Sequence, residues 1–278
     1  MLFMPIYQVI VLAVVQGLTE FLPISSTAHL VIFPWFFHWK DPGLLFDVAL
    51  HAGTLLAVAV YFWRHWWGML TGLLRQGSPV DSSLQISPRL FWFLVMATVP
   101  AGIAGWFLEH AAEEQFRQPA VIGTAMIGVG LLMWAGDRLE PRKLTLHDVS
   151  LVDALLIGVA QAFAIIPGVS RSGATMTAGL FRGISREAAA RFSFLLSTPI
   201  IAGAALKAGM DLLRAGVPAE MRVPFLVGIS VSAVVGYFAI AGLIRYLERR
   251  SFKIFIVYRV ALGVLVLALG WGMRHHLG

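Results

Sequence analysis

Seven ionisable side chains lie within apolar runs of this 278-residue chain: Glu20, His29, Asp47, His51, Arg171, Arg191 and Arg259. A charge inside a bilayer is costly, so each marks a working or a paired position. Two of the runs are interrupted, one by Leu22-Pro23-Ile24-Ser25-Ser26-Thr27 and the other by Ile166-Pro167-Gly168-Val169-Ser170-Arg171-Ser172. Glu20 and His29 flank the first interruption, and Arg171 lies in the second. If the two meet, a carboxylate, an imidazole and a guanidinium converge with the hydroxyls of Ser25, Ser26, Thr27, Ser170, Ser172 and Thr175. That set suits phosphate. The Arg171 guanidinium holds a phosphate bidentately and stays charged when partly desolvated. Pro167-Gly168 is a turn leading into a helix, whose first N–H groups point at the same anion. Glu20 would repel phosphate unless a hard divalent cation lay between them, so Mg²⁺ is expected, with Ca²⁺ as the other candidate. His29 is the group most easily tuned to move a proton near neutral pH or to attack phosphorus itself. The attacking group is then Ser26, His29 or a water activated by His29.

Plainer roles exist for several of these residues. Ser25, Ser26 and Ser172 are good helix N-caps, although three successive hydroxyls at the first break exceed what capping needs. Asp47 and His51 stand four apart on one helical face, which fits a second ligand pair or a self-satisfied hydrogen bond; a supporting role is expected. Arg191 and Arg259 are expected to snorkel or to pair with carbonyls.

The elements that must position these groups are membrane helices. The sequence is 58% hydrophobic and 13% charged, with mean hydropathy +0.79, far more apolar than a soluble domain. Without cysteine, disulfides, thiolate metal sites and a cysteine nucleophile are excluded. The net charge of +6 is assigned to cytoplasmic loops and not to nucleic acid. Met1 to Val15 reads as a retained segment, not as a removed signal peptide. Pro, Gly and charge punctuation divides the chain into helices near 5–20, 26–39, 44–66, 88–109, 119–136, 150–165, 171–182, 187–212, 223–247 and 253–273. Crossing a bilayer takes about 20 apolar residues. The first, second, sixth and seventh segments fall short, and each pair reads as a re-entrant hairpin. Gln16 precedes Ser25 by nine residues and Gln161 precedes Ser170 by nine, an offset of 145.

The chain is therefore expected to be an all-α integral membrane protein forming one membrane domain over 1–278. Its halves, roughly 1–140 and 141–278, form an inverted-topology repeat with six transmembrane helices and two re-entrant hairpins. Such folds place their sites near the midplane, where discontinuous helices end. One face collects twelve basic residues, Arg64, Arg75, Arg89, Arg138, Arg142, Lys143, Arg182, Arg186, Arg245, Arg249, Arg250 and Lys253. The other collects six, Lys40, Arg117, Lys207, Arg214, Arg222 and Arg274. The richer face should be cytoplasmic, leaving both termini and the first hairpin's mouth outside. Glu109, Glu113 and Glu114 then fall on an outside loop. Tryptophans such as Trp35, Trp63, Trp67 and Trp92 serve as interfacial anchors. The spacings Gly123 to Gly128 and Gly228 to Gly236 read as close helix packing.

Two blocks are more specific than composition. Gln16-Gly17-Leu18-Thr19-Glu20-Phe21-Leu22-Pro23-Ile24-Ser25-Ser26-Thr27-Ala28-His29 and Pro167-Gly168-Val169-Ser170-Arg171-Ser172-Gly173-Ala174-Thr175 resemble the signature blocks of the undecaprenyl-pyrophosphate phosphatase family of bacitracin-resistance proteins. Phe46 to Thr54 and Tyr258-Arg259 resemble it too, so the likeness covers essentially the whole chain. The resemblance implies a bacterial inner-membrane hydrolase that removes the terminal phosphate of a C55 lipid pyrophosphate, regenerating the carrier for peptidoglycan and other envelope polymers. It also implies metal dependence, an inverted repeat and frequent dimerisation, while the charge count is what sets the site open to the periplasm. By the same resemblance, the functional carboxylate falls on Glu20, the hydroxyl on Ser26, the histidine on His29, and the phosphate-binding block on Ser170, Arg171, Ser172 and Thr175. Many members carry a second glutamate where this chain has Gln16. A Gln carbonyl still ligates a hard cation beside Glu20 but adds no charge. Ala28 stands where a glycine is common. The rival class is a lipid-phosphate flippase or an ion-coupled transporter, since inverted repeats with broken helices also build carriers.

Overall fold

The computed structural model describes residues 4–40, 42–74, 86–114, 116–139, 144–215 and 219–276. Among them the regular structure is helical: α1 (Ile6–Thr19), α2 (Ser26–Phe36), α3 (Leu44–Tyr61), α4 (Trp63–Leu74), α5 (Leu90–Glu114), α6 (Pro119–Arg138), α7 (Leu151–Ala162), α8 (Arg171–Phe181), α9 (Arg186–Ala215), α10 (Ala219–Leu247) and α11 (Lys253–His276). Arg75, Arg142 and Lys143, part of the larger basic set, lie outside the described residues.

Five stretches are long and apolar enough to cross a bilayer: Leu90–Leu108, Pro119–Arg138, Arg186–Lys207, Glu220–Leu247 and Lys253–Gly270. The bent pair α3–α4 makes a sixth if counted as one span. Helices of this kind, with Trp106, Phe107, Leu226 and Phe238 exposed on their outer faces, make a multi-pass membrane protein, because only lipid tolerates so much outward apolar surface. The first and seventh helices, 14 and 12 residues long, are too short to cross.

The third segment departs from the single helix expected over 44–66. It bends by 65° between Tyr61 and Trp63, and the bend falls on Phe62, whose ring is fully buried against His65 and Phe194. No Pro or Gly marks the place; packing of one ring makes the corner. Conversely Pro100, Pro199 and Pro224 sit inside α5, α9 and α10 without ending them. Glu109, Glu113 and Glu114, expected in a loop, belong to the end of α5. Of the packing glycines, Gly123, Gly228 and Gly236 lie hard against Leu267, Leu50 and Phe21, whereas Gly128 faces open space.

The two breaks are built alike. Each ends a short helix, passes a proline and restarts on a serine with left-handed backbone, Ser25 at φ 76° and Ser170 at φ 69°. Such angles strain a residue with a Cβ and persist only where the surroundings hold them. Here the hold is the N-cap: Ser25 Oγ accepts from Ala28 N at 3.4 Å, and Ser170 Oγ from Gly173 N at 3.1 Å. Helices α2 and α8 that follow are each 11 residues long. Ahead of α7, Thr145 and Asp148 form a capping box, and the Thr145 backbone N–H and hydroxyl hold the exposed Asp148 carboxyl below its usual range.

The breaks touch each other. Gly168 N donates to Ser25 Oγ at 3.1 Å, and Ser172 Oγ donates to Leu22 O at 3.0 Å. Gly168, at φ 97°, leaves no room for a Cβ beside the Ile122 carbonyl. Arg259 of α11 lies fully buried behind both breaks. Its guanidinium donates to Pro23 O (3.0 Å), Gly168 O (2.8 Å) and Val169 O (3.0 Å), and to Met126 O (3.2 Å) and Ala125 O (3.5 Å) on α6. These are carbonyls that interrupted and adjoining helices present, so a buried cation is satisfied by dipoles; among the described residues no carboxylate faces it.

Candidate active site

Where the breaks meet, Glu20 is the hub. Its residue is 6% exposed, and both carboxylate oxygens are engaged. Oε1 accepts from Arg171 Nη2 at 3.0 Å. Oε2 accepts from Ser26 Oγ at 2.6 Å and from Gln16 Nε2 at 3.1 Å, with His51 Nε2 at 3.4 Å. Gln16 reaches it because four residues make one helical turn; Ser26 reaches it because the chain doubles back at Pro23. Arg171, the first residue of α8, comes from 151 positions further on and is pinned on its other side by Ser193 O at 3.0 Å.

Not every expected residue joins this hub. His29 is buried, but its Nδ1 lies 2.6 Å from Ser25 O and its Nε2 2.7 Å from the Tyr258 hydroxyl. A carbonyl only accepts, so Nδ1 carries the hydrogen and the neutral ring accepts from Tyr258 at Nε2. His29 thus braces the first turn of α2 and makes no hydrogen bond to Glu20, Ser26 or Arg171. Ser25 and Ser170 are engaged as caps, with Ser170 Oγ 3.2 Å from Ser172 Oγ. Thr175 Oγ1 turns to Arg171 O and Ser193 Oγ, both at 2.7 Å. Thr27 is half-buried.

Three further residues enter from outside the broken segments. Ser193 on α9 supports both Arg171 and Thr175. Tyr258 on α11 covers His29, with its ring stacked at 5.7 Å. His51 on α3 faces Glu20; its Nδ1 rests on the Asp47 backbone carbonyl at 2.7 Å and not on that residue's carboxylate. The Asp47 carboxylate instead lies 3.8 Å from Arg117. Arg191 pairs with Glu187 one turn away. Membership among the intramembrane ionisable groups was the sequence signal for His51; its partner was not readable.

The donor set bears on a cation. Among the described residues no three His, Cys, Asp or Glu side chains form a metal-binding group. Gln16 Oε1, however, is buried without a partner, one turn from Glu20 and beside Ser26. Amide, carboxylate and hydroxyl oxygens are what a hard ion takes, with phosphate oxygens completing the shell, so these residues fit such an ion.

Fold and site together define a multi-pass helical membrane protein with a polar centre where two broken helices meet. Residues 9–265 match the family described as Bacitracin resistance protein BacA, and the chain belongs to that family. Among its relatives, the undecaprenyl-diphosphatase of Pelotomaculum thermopropionicum is 48% identical over 266 residues, covering 96% of this chain and 97% of the relative. The undecaprenyl-diphosphatase of Moorella thermoacetica is 49% identical over 271 residues, covering 98% and 100%. Undecaprenyl-diphosphatase 2 of Stutzerimonas stutzeri is 47% identical over 277 residues, covering 97% and 100%.

Proposed function

We propose that this protein is an undecaprenyl-diphosphatase, which removes the terminal phosphate of the C55 lipid pyrophosphate and returns the lipid monophosphate to envelope synthesis, and that it thereby confers bacitracin resistance. Beside the family membership, the observation that carries the reading is the junction of Glu20, Ser26 and Arg171. A hydroxyl in hydrogen-bond contact with a buried carboxylate, facing a guanidinium fork, is a nucleophile, a base and a phosphate clamp.

Of the three attacking groups, Ser26 fits the geometry best, since its hydroxyl already donates to Glu20. Both nitrogens of His29 are engaged, which makes it a brace for the α2 turn that carries Ser26. In the first step Ser26 Oγ bonds to the terminal phosphorus, its proton passes to Glu20 Oε2, and the bridging P–O bond breaks with its electrons leaving on the lipid monophosphate. Arg171 and the first N–H groups of α8 hold the phosphoryl oxygens where charge develops. In the second step water attacks phosphorus, Ser26 Oγ leaves and recovers the proton from Glu20, and both water hydrogens depart on inorganic phosphate. Ser172 and Thr175 fix the clamp through Leu22 and Ser193. Glu20 and Gln16 Oε1 would hold a divalent ion, Mg²⁺ or Ca²⁺, which would supply neutralisation of the pyrophosphate charge.

The same reading takes the fold as an inverted repeat of six spans and two re-entrant hairpins in the inner membrane, with halves near 1–140 and 141–278. Two features support it: the matching caps at Ser25 and Ser170, and a cross-packing in which α1 lies on α10 while α7 lies on α5. The excess of basic residues on one face supports an orientation with both termini outside and the site open to the periplasm.

Phosphate release from C55 lipid pyrophosphate by the detergent-purified protein, with Mg²⁺ and with a chelator, tests the reading. Metal-dependent release is expected. Lipid translocation in vesicles without phosphate release would overturn it in favour of a carrier.

A further inference from the structure

We infer that His51, on α3 and outside both broken segments, is the positioning residue that keeps the Glu20 carboxylate aimed during the reaction. The inference rests on the role given to Glu20 above. The His51 ring is itself fixed: Nδ1 is bonded to the Asp47 carbonyl, and α3 is locked to α10 beside it by Ser232 Oγ, which donates to Leu50 O at 2.9 Å. A Cβ at Gly53 would collide with Ser232 Oγ and the Ile229 carbonyl, so the two helices touch at their backbones two residues along from His51. Both ring nitrogens face acceptors, the Asp47 carbonyl and the Glu20 carboxylate, so each carries a hydrogen and the rigid ring presents Nε2–H to Glu20 Oε2.

The contact matters because the other bonds to Oε2 are not equivalent. Ser26 makes the shortest, at 2.6 Å, and it is the one given up when Ser26 turns to phosphorus. Gln16 lies on α1, the helix that Glu20 caps, and follows any movement of that helix. His51 comes from α3, which is anchored to α10, and unlike Ser26 it is not given up in the step. Without it the carboxylate is free to swing toward Arg171, which already holds Oε1, and the Ser26 proton loses its acceptor.

The test is a double-mutant cycle on phosphate release by the full-length protein in detergent, with thermal unfolding of each variant as the folding control. His51→Ala should lower kcat by about 10- to 100-fold with little change in KM, the usual cost of removing a supporting partner. His51→Gln, which restores an N–H donor near Nε2, should recover most of that loss. In a Glu20→Gln background, followed with radiolabelled substrate, adding His51→Ala should cost less than about twofold, because coupled residues are non-additive. Full activity of a folded His51→Ala variant, or an equal loss in both backgrounds, would overturn the inference while leaving the role of Glu20 intact. An active Glu20→Gln variant would overturn that role and this inference with it.

Discussion

The two broken segments share one backbone plan and differ in what they carry. Each has a buried glutamine nine residues before a left-handed serine cap, Gln16 before Ser25 and Gln161 before Ser170. One turn after Gln16 stands Glu20, and the glutamine amide donates to it. One turn after Gln161 stands Ile165, and among the described residues neither amide atom of Gln161 has a partner. After the cap, the first segment offers Ser26 to Glu20, whereas the second offers Arg171. On the proposed mechanism, one break holds the base and the nucleophile, and the other the clamp. Two breaks of one backbone plan need not carry the same chemistry: the geometry that exposes helix ends is common to both, and the proposed reacting groups are divided between them.

Substitutions that act on one break and spare the other separate these roles. The largest effect is expected at Glu20→Gln, which removes the acceptor for Ser26 and should lower phosphate release about a thousandfold. Arg171→Lys keeps the charge but loses the planar fork, and should lower kcat/KM about a hundredfold in the same assay. Arg259→Met serves both breaks at once; it leaves several buried carbonyls unpaired and should destabilise the protein by about 3 kcal/mol, read as a lower unfolding temperature in detergent. The smallest effect sharpens the comparison most. Gln161→Leu removes an amide that bonds to nothing and should leave turnover unchanged while raising stability by about 1 kcal/mol. Gln16→Leu should instead reduce turnover on the order of tenfold. A loss of activity at Gln161→Leu would show chemistry in the second break and end the division of labour drawn here.

Both interruptions were legible because Pro23 and Pro167-Gly168 act locally: proline withholds a donor and glycine permits φ 97°, whatever the rest of the chain does. Glu20, Ser26 and Arg171 were legible for the same reason, lying within a few residues of a break. The corner at Phe62 was not, since a buried aromatic ring bends the path there without any local punctuation. Nor was the partner of His51, which depends on how α3 slides against α1 and α10. The engagement of His29 by Tyr258 was hidden by a separation of 229 positions. Arg259 was expected to snorkel or to pair with carbonyls, and it does the second, yet which carbonyls follows only from the approach of the two breaks to α6.

Those carbonyls bear on how the molecule moves. Arg259, fully buried, donates to both interrupted segments and to α6 simultaneously. A carrier that works by rocking one hairpin away from the other has to rupture this set on every cycle. A hydrolase does not. With both breaks tied to one guanidinium, the proposed reaction would bring the lipid headgroup to a stationary centre, and its turnover would be one of substrate arriving and product leaving.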